Sequence, residues 1–361
     1  MEPQIQYATT SDGVRIAYCV RGDGPGVPLI MMQTLPFTHV QSWRWERLAP
    51  QLAEPAALAQ GRRVAWSDFR GCGLSDRAIA DMSMGALSLD LEAVVQRLEW
   101  PRFFLCGAGM SGPIAISYTA NNPGRVAALV LRETYARASE IGRIPRMRAL
   151  GALLRVDWDT YLENQILMTF GWQAAELGPK LVAMLRECVT YDVVRELAAA
   201  TPTYDVSKLV ESIGVRTLVI GRDDTPVPSP DMLRQLGSRI RNARVVMVRG
   251  GAAAYHESQR AISEFLAEGD AVDPILQPEL PSGTAVIVFA DIVDSTALTE
   301  RMGDAAFRAK ARELDTALRG IIREAGGTPA EGKLLGDGVH AYHGRETECC
   351  HPQLAPGGSR T

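Results

Sequence analysis

At 361 residues the chain is long enough for one large domain and a smaller second one. Its 46% apolar and 22% charged residues are those of an ordinary globular protein, and a net charge of -4 leaves no electrostatic footprint for nucleic acid. No apolar run approaches the roughly 18 residues of a spanning helix, and no basic-then-apolar leader opens the chain, so a cytoplasmic protein with no membrane association is expected.

The six cysteines (Cys19, Cys72, Cys106, Cys188, Cys349, Cys350) lack metal-ligand spacing. Cys19 and Cys106 lie in apolar runs and read as reduced, buried thiols. In chain order, residues 5–9 and 14–20 flank Ser11-Asp12-Gly13 and form a hairpin. A buried strand at 27–32 precedes a loop with Thr34, Pro36 and His39, and then a helical stretch over 43–60. A strand at 63–69 closes into Asp68-Phe-Arg-Gly-Cys-Gly-Leu-Ser-Asp76, followed by a helix over 87–98. The strand 103–106, the helix 111–121 and the strand 126–131 continue an alternation that predicts a doubly wound, mainly parallel sheet.

From about 134 to 215 only helical patterns occur, over 146–154, 161–170, 176–189 and 193–200. A helical insertion there forms a cap over the sheet's C-terminal edge, where ligands bind in such folds. Strands at 216–221 and 243–248 alternate with helices at 230–236 and 256–266, completing a domain over 1–266. A proline-rich linker spans 267–283. In the second segment, 284–343, a strand ends at Asp291, a helix covers 304–325, and 328–335 and 339–342 flank the turn Gly336-Asp337-Gly338. Residues 344–361 carry no pattern and are expected to be a disordered tail.

The strand–turn–helix at 102–115 contains Gly107-Ala-Gly-Met-Ser-Gly112. Laid over the nucleophile-elbow pattern G-x-S-x-G, Gly109 stands at the serine and Ser111 two places later. Together with the Asp68–Asp76 turn, Asn122-Pro-Gly-Arg-Val126 and Thr217-Leu-Val-Ile-Gly-Arg-Asp-Asp224, this stretch resembles the α/β-hydrolases, and more narrowly the hydrolase-like half of bacterial proteins that join this fold to a nucleotide cyclase. The resemblance implies an α/β-hydrolase fold with a helical cap and no cofactor. It places the acid of a triad at Asp224, its base at His256, and oxyanion donors at Leu35 and Met110. Each has a plainer alternative. Asp224 also suits a turn, and His256 suits the start of a helix. Ser111 is either a hydroxyl satisfying a helix N-terminus or a relocated nucleophile. Glycine at 109 has no side chain, so acyl transfer cannot start there. Trp43, Trp45, Trp158 and Trp172 either line the cavity under the cap or pack the core.

Residues 284–343 resemble the start of a class III adenylate cyclase catalytic domain, on Thr284-Ala-Val-Ile-Val-Phe-Ala-Asp-Ile-Val-Asp-Ser-Thr296 and Lys333-Leu-Leu-Gly-Asp-Gly338. The resemblance implies Mg or Mn held by Asp291 and Asp337, phosphates approached by the backbone of Ile292, Val293, Asp294 and Ser295, and a base read by Lys333. It also implies a homodimer through this segment. The rest of a cyclase domain has no counterpart here, so no cyclase activity is expected from the chain. Three functions follow. The first is a sensor-like module that binds a small molecule. The second is an ester hydrolase using Ser111, or a water activated by His256 and Asp224. The third is a cyclase subunit that needs a full-length partner.

Overall fold

A computed structural model describes residues 2–48, 54–78, 81–170, 176–225, 227–250, 254–272, 286–290 and 295–303, and short pieces between 306 and 343. Two compact units are present, Met1–Leu276 and Gln277–Thr361. The first is built on eight strands: β1 (Ile5–Thr9), β2 (Arg15–Arg21), β3 (Gly26–Met32), β4 (Arg62–Ser67), β5 (Phe103–Ala108), β6 (Val126–Arg132), β7 (Arg216–Arg222) and β8 (Ala243–Val248). They lie in the order β1-β2-β4-β3-β5-β6-β7-β8. The hairpin β1–β2 pairs antiparallel, β2 joins β4 antiparallel, and every pairing from β4 to β8 is parallel. The expected doubly wound sheet is therefore present.

Central strands bury both faces. All six residues of β5 are buried, and its side chains alternate between two cores. Phe103 and Leu105 join the core beneath α2 (Met84–Leu98), α3 (Gly112–Asn121) and the cap. Phe104 and Cys106 join the core on the opposite face, beneath α10 (Ala254–Val272). Cys19, Cys72, Cys106 and Cys188 are free and buried, as expected of Cys19 and Cys106. Helix starts follow from the sequence: Ser83 accepts the Ala86 N–H at the head of α2, and Ser229 accepts the Met232 N–H ahead of α9 (Pro230–Ser238).

The continuous helix expected over 43–60 is not formed. A short 3-10 turn covers Ser42–Trp45, and α1 covers only Glu54–Leu58. Pro55 stands at the second position of α1, where its missing N–H is harmless but a helix arriving from upstream would lose a bond. Between β6 and β7 the cap comprises α4 (Ala138–Gly142), α5 (Pro145–Val156), α6 (Trp158–Phe170), α7 (Gly178–Cys188) and α8 (Tyr191–Ala200).

At the other end, α10 runs to Val272, past the start of the expected linker. Its last turn is fastened to the sheet. The Asp270 carboxylate accepts the Val27 N–H at 2.8 Å and two bonds from the buried Arg62 guanidinium, at 3.1 and 2.7 Å.

The Asp68–Asp76 turn is a structural staple. Arg70 donates to Asp90 at 2.8 Å and to Asp12 at 2.8 and 3.1 Å. Ser75 Oγ accepts the Ala17 N–H at 2.9 Å, and Asp76 accepts the Arg15 N–H at 2.8 Å.

In the second unit, β9 (Val286–Ala290), β10 (Thr328–Pro329) and β11 (Val339–His343) form an antiparallel sheet in the order β10-β11-β9. Helix α11 covers Ser295–Met302, ahead of the helix expected from 304, whose described residues 306–307, 309–310, 313–314 and 316–317 are helical, and Gly303 follows α11 at a φ of +80°. Glycine is the residue suited to that left-handed position after a helix.

Candidate active site

The sheet order changes direction at β3, which has β4 on one side and β5 on the other. Ligands of open α/β sheets bind at the carboxyl ends of strands at such a switch point. Here those ends are the loop after β3, with Thr34, and the turn after β5, with Gly109. Gly109 has a φ of +53°, in the left-handed region that side chains rarely adopt. A Cβ placed on Gly109 would stand 2.8 Å from Thr34 Cγ2 and 3.4 Å from Thr34 Oγ1. The Thr34 side chain thus presses into the volume a serine at 109 would need. Two donors hold the Gly109 carbonyl, the Thr134 hydroxyl at 2.6 Å and the Gly112 N–H.

Ser111 is fully buried. Its Oγ accepts the Ala108 N–H at 2.9 Å and lies 2.9 Å from the Ala108 carbonyl and 3.1 Å from the Met32 carbonyl. The hydroxyl ties β3 to the turn after β5. That geometry answers to the structural alternative for Ser111 and gives a substrate no route to it. Met110 is partly exposed at the head of the turn, and Leu35 is buried beside Thr34.

Asp224 lies after β7, on the edge where the resemblance puts the acid. Its carboxylate is half exposed, 3.6 Å from Arg222 Nε, and packs so close to Gly250 that a Cβ there would fall 2.0 Å from Asp224 Oδ2. His256 is exposed on the first turn of α10 and meets the Tyr255 ring. Among the described residues no hydrogen bond joins it to Asp224; residues 251–253 lie outside them. The structure thus brings Gly109 and Thr34 together, and separately Asp224 and Gly250, and among the described residues no hydrogen bond links acid to base.

A residue missed at the sequence level is Glu133, which follows β6 with a φ of +45°. Its carboxylate sits 3.1 Å from Arg222 Nε, and its N–H donates to the Ile220 carbonyl at 2.9 Å. Arg222 therefore lies between Glu133 and Asp224, and its Nε also donates to Thr225 Oγ1 at 2.9 Å. A positive φ away from glycine is a tertiary feature with no sequence signature, which is why Leu131-Arg-Glu-Thr134 gives no hint of it.

His39, in the same loop as Thr34, is buried, and burial with the nearby Arg44 charge brings its pKa down to about 4. Its Nδ1 accepts the Gln41 N–H at 3.1 Å, leaving a neutral ring packed on Trp45. Trp43 packs edge-on against Trp66, and Trp158 stacks on Tyr161, so these side chains serve packing; Trp172 lies outside the described residues. Asp291, Ile292, Val293, Asp294, Lys333 and Asp337 also lie outside them, and Ser295 opens α11. Among the described residues no three His, Cys, Asp or Glu side chains form a metal site, and no helix is long and apolar enough to cross a membrane.

Residues 27–151, which hold β3, the staple, the elbow turn and β6, match the family model of the α/β hydrolase fold. The chain carries an α/β-hydrolase-fold domain. Among curated relatives, the AB hydrolase superfamily protein YisY of Bacillus subtilis is 26% identical over 260 residues, covering 68% of this chain and 92% of that protein. A 2-hydroxy-6-oxononadienedioate/2-hydroxy-6-oxononatrienedioate hydrolase of Paraburkholderia xenovorans is 27% identical over 285 residues, 74% of this chain and 91% of that one. Among solved structures, the enol-lactonase of Burkholderia xenovorans superposes with a TM-score of 0.58 at 23% identity, over 73% of this chain and 99% of that one. An esterase from Exiguobacterium antarcticum gives 0.60 at 18% identity, over 73% and 98%.

Proposed function

We propose that this α/β-hydrolase-fold domain binds a small molecule at the switch point without turning it over, a sensor-like use of the fold. The observation that carries the reading is the pairing of Gly109 with Thr34: the turn keeps an elbow's left-handed geometry, yet it carries no side chain and the Thr34 methyl crowds the volume a serine would need. The burial of Ser111 and the Arg222 partner of Asp224 support it further. What remains is an N-terminal helical turn with backbone donors and a neighbouring threonine hydroxyl, which suits an ester or carboxylate oxygen. The relatives' hydrolase names make a short ester the natural first ligand to test. With p-nitrophenyl butyrate the chain should release no nitrophenol above the uncatalysed rate, while methyl butyrate should raise the melting temperature, a shift lost in Thr34→Trp. Turnover that disappears in His256→Ala would replace this reading with the hydrolase one.

A second reading concerns residues 284–343. Ala290, the residue before Asp291, pairs with Val339, the residue after the Gly336–Gly338 turn, which supports a nucleotide-binding remnant. In it Asp291 and Asp337 would hold Mg or Mn, Lys333 would meet the base, and a second copy of the chain would be the partner. Titration with ATP and Mn should show binding without cyclase product; absence of binding ends this reading.

A further inference from the structure

The cap carries a cleft of about 550 Å³ between α5 and α8, away from the switch point. Leu154 forms its buried floor, Gly151 and small alanine side chains keep it open, and Arg148, Arg155, Tyr191 and Arg195 surround it. The Tyr191 ring is held edge-on by Trp158, which is itself stacked on Tyr161.

Charge in the cleft is one-sided. Helix α5 contains Arg146, Arg148 and Arg155 and no acidic residue, and no side chain caps its N-terminus. Arg146 and Arg148 therefore sit near the end of the helix whose dipole is already positive, where a cation is unfavourable. Arg195 is neutralised within α8 by Asp192 and Glu196. Arg148 and Arg155 have no ion-pair partner among the described residues. Their spacing of seven residues places them on one helix face about 10 Å apart, and both line the cleft.

We infer that this cleft is a second binding site, for a small organic oxyanion (a carboxylate or a phosphate monoester) with a flat or alkyl body. The anion would meet the guanidinium of Arg148 or Arg155, whose planar fork matches carboxylate and phosphate oxygens alike. The body would lie over Leu154 and beside the Tyr191 ring.

Calorimetric titration of the full chain with 2-naphthoate and 2-naphthyl phosphate tests this, with uncharged 2-naphthol as control. At least one anion should saturate a single site, at least tenfold tighter than 2-naphthol, and the tighter of the two names the oxyanion. The pair Arg148→Gln and Arg155→Gln should weaken it at least tenfold. Gly151→Leu should abolish it: a Cβ there meets nothing within 4 Å, so the leucine grows into open space and the helix is retained. Failure of both anions to bind at millimolar concentration overturns the assignment, as does binding that both variants leave unchanged. Self-association that Gly151→Leu dissolves, without anion binding, would give the cleft to a second copy instead. None of these readouts involves ester turnover, so the site stands or falls apart from the reading of the switch point.

Discussion

A serine built at position 109 must overcome two separate obstacles, and they can be measured apart. Its Cβ would contact Thr34 Cγ2 at 2.8 Å, and any side chain there must sit at a φ of +53°. The left-handed backbone alone costs roughly 1–3 kcal/mol. Gly109→Ser should therefore lower stability by about 2 kcal/mol in urea denaturation, and adding Thr34→Gly should recover only the steric share. At Ser111 the expectation differs in kind. Ser111→Ala strands the buried Ala108 N–H and should cost about 1–3 kcal/mol, with no effect on ligand binding or on any ester turnover. Turnover that vanishes with this hydroxyl at unchanged stability would show a nucleophile instead.

Among the elements, the last turn of α10 is the one whose role differs most from its sequence. Residues 267–272 read as the start of a linker because prolines and acids follow without periodicity. In the fold Asp270 accepts from Val27 and Arg62, so the turn clamps the amino ends of β3 and β4. Asp270→Ala leaves the buried Arg62 charge without its partner and should cost about 3 kcal/mol, somewhat less because Asp270 is partly open to water. By the same logic a chain ending at 266 should unfold at lower urea than one ending at 276. Equal midpoints would show that the clamp contributes nothing.

For the molecule as a whole, the clearest electrostatic signature is the buried Asp68. Desolvation raises its pKa from 3.8 to about 7, only partly opposed by the Leu74 N–H that it accepts at 2.8 Å. Between those two values the native state holds a proton that the unfolded chain has released. Stability from this group is therefore complete below about pH 4 and declines as pH rises through about 7. Asp68→Asn keeps the acceptor and removes the titration, so its urea midpoint should fall less between pH 4.5 and 7.5 than that of the original chain. Parallel pH profiles would place the decline elsewhere. His39 runs the other way. Its pKa of about 4 means that stability from its neutral ring is present above its usual value near 6.5 and is lost as pH falls towards 4.

The parallel sheet, the hairpin that opens it and the run of helices between β6 and β7 were all legible in the sequence. Each depends on local periodicity, and strands buried on both faces, such as 103–108, leave unbroken apolar runs. Gly109 was legible too, since the absence of a side chain is a covalent fact. Long-range neighbours were not legible. That Thr34 fills the space beside Gly109, that Arg222 stands between Glu133 and Asp224, and that Asp270 reaches Arg62 all follow from which strand ends the chain topology brings side by side. The helix expected over 43–60 failed for a related reason, because apolar spacing alone does not register where Pro55 breaks the backbone bonds. Local chemistry determined the elements and the glycine at position 109. Only the tertiary packing, by bringing residues distant in sequence within a few ångströms, decided which side chains surround it.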